Sequence, residues 1–391
     1  MDRLSLAARP AVQALRSSKI REVANAGMGN KDVLPFWFGE PDEVTPDFIR
    51  QAGIDALNRG DTFYTENFGL PALRETLAAY VSRLHAPKCR VSAANITVTS
   101  AGMSALMLSY QALVGPGDRA VIVTPVWPNL VEIPRILGAE AVTFPLDYTA
   151  SGWKLDLQRL IATLTPGTRL LCINSPNNPT GWTISREEQV ALLDHCRKHG
   201  IWILADDAYE RLYYGEGAAP SFLDIADAAD RVVSTNTFSK SWLMTGWRLG
   251  WIVAPEELMP YLGTLIEYNT SCAPSFVQQA GIVAVEQGEP VIARTQARFR
   301  KARDFLDARL REIPGVTTTL PAGAMYTFFK VDGVADSLAF CKRMVTDGGL
   351  GLAPGIAFGP EGEGFIRWCF ASGEDKLQQG IDRLKKMIQH R

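Results

Sequence analysis

Arg169-Leu170-Leu171-Cys172-Ile173-Asn174 and Ile201-Trp202-Ile203-Leu204-Ala205-Asp206 stand on either side of a helical stretch that opens at Ser185 and closes at Gly200. Both flanking runs are almost continuously apolar, the pattern of strands covered on both faces. Ser185 with Glu188 three residues later forms a capping box, which satisfies two backbone donors at a helix start. Gly200 supplies the residue that a helix end most readily turns left-handed. Short β-rich runs recur at 96–99, 120–124, 232–235 and 250–254. Strand and helix in alternation imply an α/β chain whose mostly parallel central sheet carries helices on both faces. In such sheets ligands sit beyond the carboxyl ends of the strands. The polar residues that follow each strand are therefore the ones to read for chemistry.

After about Gly288 the pattern changes. A long polar helix (290–312) leads to Gly315, a strand, the turn Pro321-Ala322-Gly323, a strand at 325–331, a helix at 336–347, a strand at 365–370 and a last helix from about Glu374. This reads as a smaller α+β domain. The expected division is a large domain over 44–288 and a small one built from 1–43 and 289–391, with the first forty residues packed on the latter. There is no internal repeat and no low-complexity linker.

The 391 residues are 47% apolar, enough for a sizeable core. Forty Lys and Arg against 42 Asp and Glu give a net charge of −2, which argues against bulk attraction to nucleic acid or an anionic membrane. No apolar run reaches membrane-spanning length, and no apolar signal core follows Met1. The six cysteines are scattered with no C-x-x-C pair, as expected of reduced thiols in a cytoplasmic protein.

The chemistry starts at Lys240, in Thr237-Phe238-Ser239-Lys240-Ser241-Trp242-Leu243-Met244-Thr245-Gly246-Trp247-Arg248-Leu249-Gly250. A lysine amine can condense with a carbonyl. An arginine can grip phosphate oxygens with two parallel hydrogen bonds. Pyridoxal phosphate carries both an aldehyde and a phosphate and would use both groups. The alternative is a surface lysine ahead of a buried strand. Asp206 ends its strand with a carboxylate that burial would penalise unless a cation met it. A protonated pyridine nitrogen is such a cation; a helix N-cap is the other reading, and Asp207 could serve equally. Tyr209 stands three residues on and could hydrogen-bond the ring's phenolic oxygen.

Other strand ends add weaker signals. Asn174-Ser175-Pro176-Asn177-Asn178-Pro179-Thr180-Gly181 is a turn by composition, and an Asn amide there can also donate to that oxygen. Thr99-Ser100-Ala101-Gly102-Met103-Ser104 brings small residues to a helix start, where backbone N–H groups favour an anion. Trp127 could stack on a planar ring or simply fill core. Arg367, inside the apolar run Phe365-Ile366-Arg367-Trp368-Cys369-Phe370, needs a partner, either a substrate carboxylate or a structural acid. His195 and His199 have metal-ligand spacing, but Cys196 stands where H-E-x-x-H has glutamate, so no metal is expected. No G-x-G-x-x-G follows a strand.

Taken together, these segments resemble the fold-type I pyridoxal-phosphate aminotransferases of class I/II. The resemblance runs from Ser18-Lys19-Ile20-Arg21 and Gly39-Glu40-Pro41-Asp42, through Tyr64 and Gly69-Leu70-Pro71-Ala72-Leu73-Arg74, to Arg367. It implies that Lys240 forms the Schiff base and shuttles the proton. Asp206 would pair with the pyridine nitrogen, Asn178 and Tyr209 would hold the phenolic oxygen, and Trp127 would stack on the ring. Ala101, Gly102 and Met103 would make the phosphate loop, joined by Thr237 and Arg248. Tyr64 would reach the phosphate of a neighbouring subunit in a homodimer. Gly39 and Arg367, with Asn178, would bind the substrate α-carboxylate. The partners so implied are an L-amino acid and a 2-oxo acid, exchanged in a ping-pong cycle.

Three positions depart from the family's commonest pattern. Thr237 replaces serine but keeps a hydroxyl. Ala101 replaces a frequent glycine, which a helix start should tolerate. Met103 stands where one aspartate aminotransferase subgroup has a lysine for the distal carboxylate. With Phe36-Trp37-Phe38 adding apolar bulk before Gly39, this favours neutral, aliphatic or aromatic donors over aspartate. The rivals are an aspartate aminotransferase, a β-lyase on the same scaffold, and a non-enzymatic ligand-binding regulator.

Overall fold

The computed structural model describes residues 8–85 and 91–389; Cys89 lies outside them. Its main sheet has seven strands: β1 (Ile96–Thr99), β2 (Arg119–Thr124), β3 (Glu140–Pro145), β4 (Thr168–Asn174), β5 (Trp202–Asp206), β6 (Val232–Thr237) and β7 (Gly250–Val253). They lie in the order β1-β7-β6-β5-β4-β2-β3. The run from β6 to β3 is parallel, and β7 alone runs antiparallel to both its neighbours.

Alternation along the strands explains why both faces are apolar. Ala120, Ile122, Leu170, Cys172 and Leu204 enter one core cluster, while Val121, Val123, Leu171, Ile173 and Ile203 enter another on the opposite face. Successive strand side chains point to opposite faces, so two helical layers can be held by one sheet. β3 escaped the sequence reading because it is a partly exposed edge strand beginning at Glu140, without the continuous apolar run that marks its neighbours.

The helices include α1 (Lys19–Gly27) and α2 (Gly102–Leu113), which contribute to the cleft described below, and α3 (Arg186–His199) and α4 (Ser337–Thr346), which do not line it. α3 is capped as the sequence implies. Glu188 N–H donates to Ser185 Oγ at 3.2 Å, Ser185 N–H donates to Glu188 Oε2 at 2.8 Å, and Gly200 closes the helix at φ 67°. A smaller antiparallel sheet follows late in the chain: β8 (Val316–Thr317), β9 (Tyr326–Val331), β10 (Ala353–Pro354) and β11 (Phe365–Cys369), in the order β8-β9-β11-β10. The N-terminal segment joins it, because α1 packs on α4 and Leu34–Pro35 pairs in parallel with Leu350–Gly351. No helix of the described residues is long and apolar enough to cross a membrane.

Candidate active site

The carboxyl ends of β4, β5 and β6 open into a cleft of about 530 Å³, closed from the other side by the small sheet and the N-terminal segment. Lys240, Asp206, Tyr209, Asn178, Trp127 and Arg367 all line it, as do Gly39, Gly102, Met103, Thr237 and Arg248. Segments far apart in sequence therefore meet as the strand-end argument requires.

Lys240 sits in the short helix Phe238–Ser241, which Thr237 caps by accepting from Ser239 N–H at 3.1 Å. Its Nζ donates to the Gly39 carbonyl at 2.6 Å. Burial strips water from the amine and, against weaker opposing fields from Cys369 and Glu40, brings its pKa down to about 8. A lysine so poised has a substantial neutral, nucleophilic fraction near neutrality.

Asp206 is the last residue of β5, and it, not Asp207, faces the cleft. Asp207 points to the opposite side of the strand, where it accepts from Ser234 Oγ at 2.6 Å and Ser221 Oγ at 3.2 Å. Burial pushes Asp206 up to about 7, with smaller pulls down from the Ala208 N–H at 3.3 Å and from Lys240. A carboxyl in that condition favours a cationic partner.

Arg367, on β11, is buried. Its Nη1 donates to Asn178 Oδ1 at 2.9 Å, its Nη2 donates to the Trp37 carbonyl, and its Nε has no hydrogen-bond partner among the described residues. The guanidinium lies over Tyr326, 4.4 Å from the ring centroid. An orphaned, buried guanidine N–H is costly unless an acceptor meets it. The Arg367–Asn178 bond leaves the Asn178 amide N–H₂ free to donate. Asn178 is itself held by its backbone N–H, which donates to Asn174 Oδ1 at 2.8 Å.

Tyr326 is the residue the sequence reading passed over. It looked like one position in a buried strand, yet its hydroxyl lies 2.7 Å from that of Tyr209. Burial holds both phenols well above their ordinary range, so both are neutral and one donates to the other. The signal was available: a tyrosine in an apolar strand needs a partner for its hydroxyl. Gly39 makes room for it, since a Cβ there would fall 1.9 Å from the Tyr326 hydroxyl.

Two expectations change in detail, at Ala101 and at the aromatic run, and Tyr64 and His195 can be placed. Ala101 does not line the cleft; it precedes α2 at φ 101°, ψ 159°, a region that glycine occupies freely and alanine enters only with strain. The helix start therefore does not simply tolerate it. Of Phe36-Trp37-Phe38, only Phe38 faces the cleft; Phe36 and Trp37 are buried, Phe36 against Trp368 at 5.0 Å. Tyr64 lies outside the cleft and is 89% exposed, beside Phe63 at 84%. His195 gives one ring nitrogen to the Leu164 carbonyl at 2.9 Å.

The residues fit pyridoxal phosphate. An amine, a buried carboxyl that makes no ion pair among the described residues, a tryptophan face and the start of α2 border one cleft. Arg248, exposed there and held by its Nη1 bond to the Thr245 carbonyl at 2.7 Å, keeps further N–H groups for a phosphate. Gly250 permits the close approach this needs: a Cβ on it would lie 2.5 Å from the Gly102 nitrogen.

The family model "Aminotransferase class I and II" matches residues 31–384. The chain is 32% identical over 381 residues to an aspartate aminotransferase of Pyrococcus horikoshii, covering 97% of this chain and 96% of that one. It is also 32% identical over 366 residues to an arginine–pyruvate transaminase of Pseudomonas aeruginosa, covering 93% and 92%. A solved aspartate aminotransferase of Thermus thermophilus with maleate superposes with a TM-score of 0.90 at 28% identity, covering 98% of this chain and all of that one. These relatives share a reaction type and differ in the substrates their names carry.

Proposed function

The chain belongs to the class I and II aminotransferases, and from that premise we propose that it takes pyridoxal phosphate as cofactor and favours neutral, aliphatic or aromatic L-amino acids as donors. It is a transaminase, moving an amino group from an amino acid to a 2-oxo acid. The observation that carries the reading is the meeting of a low-pKa lysine, a buried aspartate and a buried arginine in one cleft.

When bound, the cofactor supplies the carbonyl that accepts the amine and the ring that accepts the electron pair. The protein's part is orientation and proton handling. Arg367, with its unpaired Nε, and the Asn178 amide hold the substrate α-carboxylate, and Gly39 lets the backbone approach. Lys240 would take the proton from the substrate α-carbon and hold it on Nζ for the return transfer. Its lowered pKa makes the neutral amine accessible for the first transfer, and the ammonium then serves as the acid. Asp206 would pair with the ring nitrogen and favour its protonated form. Tyr209 and Asn178 would donate to the phenolic oxygen, Trp127 would stack on the ring, and Gly102, Met103, Thr237 and Arg248 would hold the phosphate, with Ala101 shaping the turn. Phe38, Leu106 and Met103 give the cleft an apolar wall, which supports the choice of donor.

The working unit in this reading is a cytoplasmic homodimer. Phe63, Tyr64 and Tyr268 are each more than 80% exposed, a concentration of aromatic surface suited to a second copy. Tyr64 would then reach the partner's phosphate. The large domain would span 44–288 and the small one 1–43 with 289–391. The test is Lys240→Ala. It should retain cofactor through the phosphate contacts while losing transamination, and wild-type initial rates should give parallel lines as donor is varied. Full activity in the variant would sink the role given to Lys240.

A further inference from the structure

We propose that His85 is a positioning residue for the cofactor-facing pair Asp206 and Tyr209: it grips the back of the turn that carries both of them, through Glu210, and ties that turn to Asp224. The inference rests on the transaminase reading above and names a residue that no step of it uses. The turn runs from Asp206 to Glu210 and has two faces. Asp206 and Tyr209, three residues apart, line the cleft. Asp207 and Glu210, also three apart, are buried on the other side, where Asp207 meets two serines and Glu210 meets His85.

The turn is closed by its own backbone. The Glu210 N–H donates to the Asp207 carbonyl at 2.9 Å, and the Ala208 N–H donates to Asp206 Oδ1 at 3.3 Å. The carboxyl that would face the ring is therefore oriented by the same turn that Glu210 ends. His85 is the last residue of the helix Pro71–His85, and its side chain is buried. Its Nε2 meets Glu210 Oε2 at 2.9 Å and its Nδ1 meets Asp224 Oδ1 at 3.0 Å. A neutral imidazole has one N–H, so only the imidazolium donates to both carboxylates. The other polar groups around it have partners of their own. Tyr80, on the same helix, donates to Glu210 Oε1 at 3.4 Å and accepts from Arg211 Nη1 at 3.2 Å, while Arg211 pairs with Glu289. Arg186 of α3 pairs with Asp224.

Two buried carboxyls on the back of one turn repel each other and the Asp206 carboxylate in front. Burial is the main cause that raises Asp207; Glu210 adds to it, and the charge on His85 works against it. His85 supplies the cation that lets this acid-rich turn hold one conformation. Once it is removed, Glu210 is a buried carboxylate without its cation, and it must take up a proton or swing from its place. The Asp206 and Tyr209 side chains share that short turn, so they move with it. The clamp acts from behind the sheet end and touches neither the substrate nor the reacting atoms.

The test compares wild type with His85→Gln, Glu210→Gln and, as a control for lost stability alone, Leu384→Ala, a fully buried position on the helix Glu374–Gln389. Glu210→Gln keeps the side-chain shape, so the comparison stands even where His85→Gln does not fold. In cofactor-free protein, deuterium exchange of the amides over 206–212 should speed up about 10-fold in both clamp variants relative to Leu384→Ala. The pyridoxal phosphate Kd should rise about 10- to 100-fold in both, and by less than about threefold in Leu384→Ala. In loaded His85→Gln the pH midpoint of the cofactor's absorbance should move upward by several tenths of a unit. A hydrogen bond from Tyr209 and a nearby cation both favour the deprotonated form, and both are withdrawn. Unchanged exchange, or faster exchange with Kd and midpoint as in the control, would overturn the assignment. If wild type binds no pyridoxal phosphate, faster exchange over 206–212 confined to the clamp variants would uphold the clamp and sink the cofactor reading instead.

Discussion

Replacing Asp206 by Asn removes a charge that the cofactor-free protein holds at a cost. The carboxyl rises from 3.8 to about 7 because the end of β5 is buried, and only the Ala208 N–H and the more distant Lys240 work against that. The folded protein thus binds a proton at Asp206 that the unfolded chain releases between about pH 4 and pH 7. Stability contributed by this site therefore falls as pH rises through that window. At 1.36 kcal/mol per unit, the ionised carboxylate destabilises the cofactor-free protein by about 4 kcal/mol at pH 8, and by only about 2 kcal/mol at pH 5. Asn keeps the shape and the bond from Ala208 without the charge. Cofactor-free Asp206→Asn should exceed wild type in stability by a margin that widens by about 2–3 kcal/mol between pH 5 and pH 8. Asp207, also raised to about 7 chiefly by its own burial, is present in both proteins; the small part of its rise that comes from the Asp206 charge is lost in the variant, which moves the margin in the same direction. Equilibrium urea unfolding at the two pH values measures the margin. Loading pyridoxal phosphate should shrink it, since a ring cation stabilises the carboxylate, while amino transfer by the variant drops on the order of 10²–10³-fold. A margin that is the same at both pH values would refute the claim that Asp206 is desolvated and in need of a cation.

Three other outcomes are expected. His85 lies between Glu210 Oε2 at 2.9 Å and Asp224 Oδ1 at 3.0 Å; burial works against its charge, but the two carboxylates outweigh it and raise the imidazole to about 10. Its stabilisation is fully present below about pH 6.5 and lost as pH rises towards 10, so His85→Ala should cost about 3–5 kcal/mol at pH 6 and clearly less at pH 10 by chemical denaturation. Tyr326→Phe removes the hydroxyl that meets Tyr209, and the pH titration of the bound cofactor's absorbance should shift while the protein stays folded; an unshifted titration would make the pair purely structural. Gly39→Ala places a methyl on that same hydroxyl and should impair substrate KM more than Tyr326→Phe does.

The sequence carried much of this because the chemistry follows strand ends. Asp206, Asn178 and Lys240 each close or follow a strand, and a parallel sheet brings those ends to one edge whatever the loops do. Arg367 was legible for another reason, a charge inside an apolar strand that must have a partner. Tyr326 was not, since its partner Tyr209 is 117 residues away and only the packing of the small sheet on the large one joins them. The choice between Asp206 and Asp207 was likewise open until the pleat set one into the cleft and the other towards Ser234. Ala101 reads as harmless in sequence, because its strain lies in a backbone angle that composition does not record. Phe36-Trp37-Phe38 misled in part: three adjacent aromatics cannot all face one cleft, and two of them turned into the core.

The central claim is that Lys240, Asp206 and Arg367 together make an amino-transfer site. The most direct measurement is a single half-reaction. Protein loaded with pyridoxal phosphate is mixed with one amino acid at a time, without any acceptor, and the cofactor band is followed. The account predicts full conversion to the pyridoxamine form by neutral aliphatic or aromatic L-amino acids, with one equivalent of oxo acid released and no ammonia. Release of ammonia with the original band restored would contradict it and point to elimination.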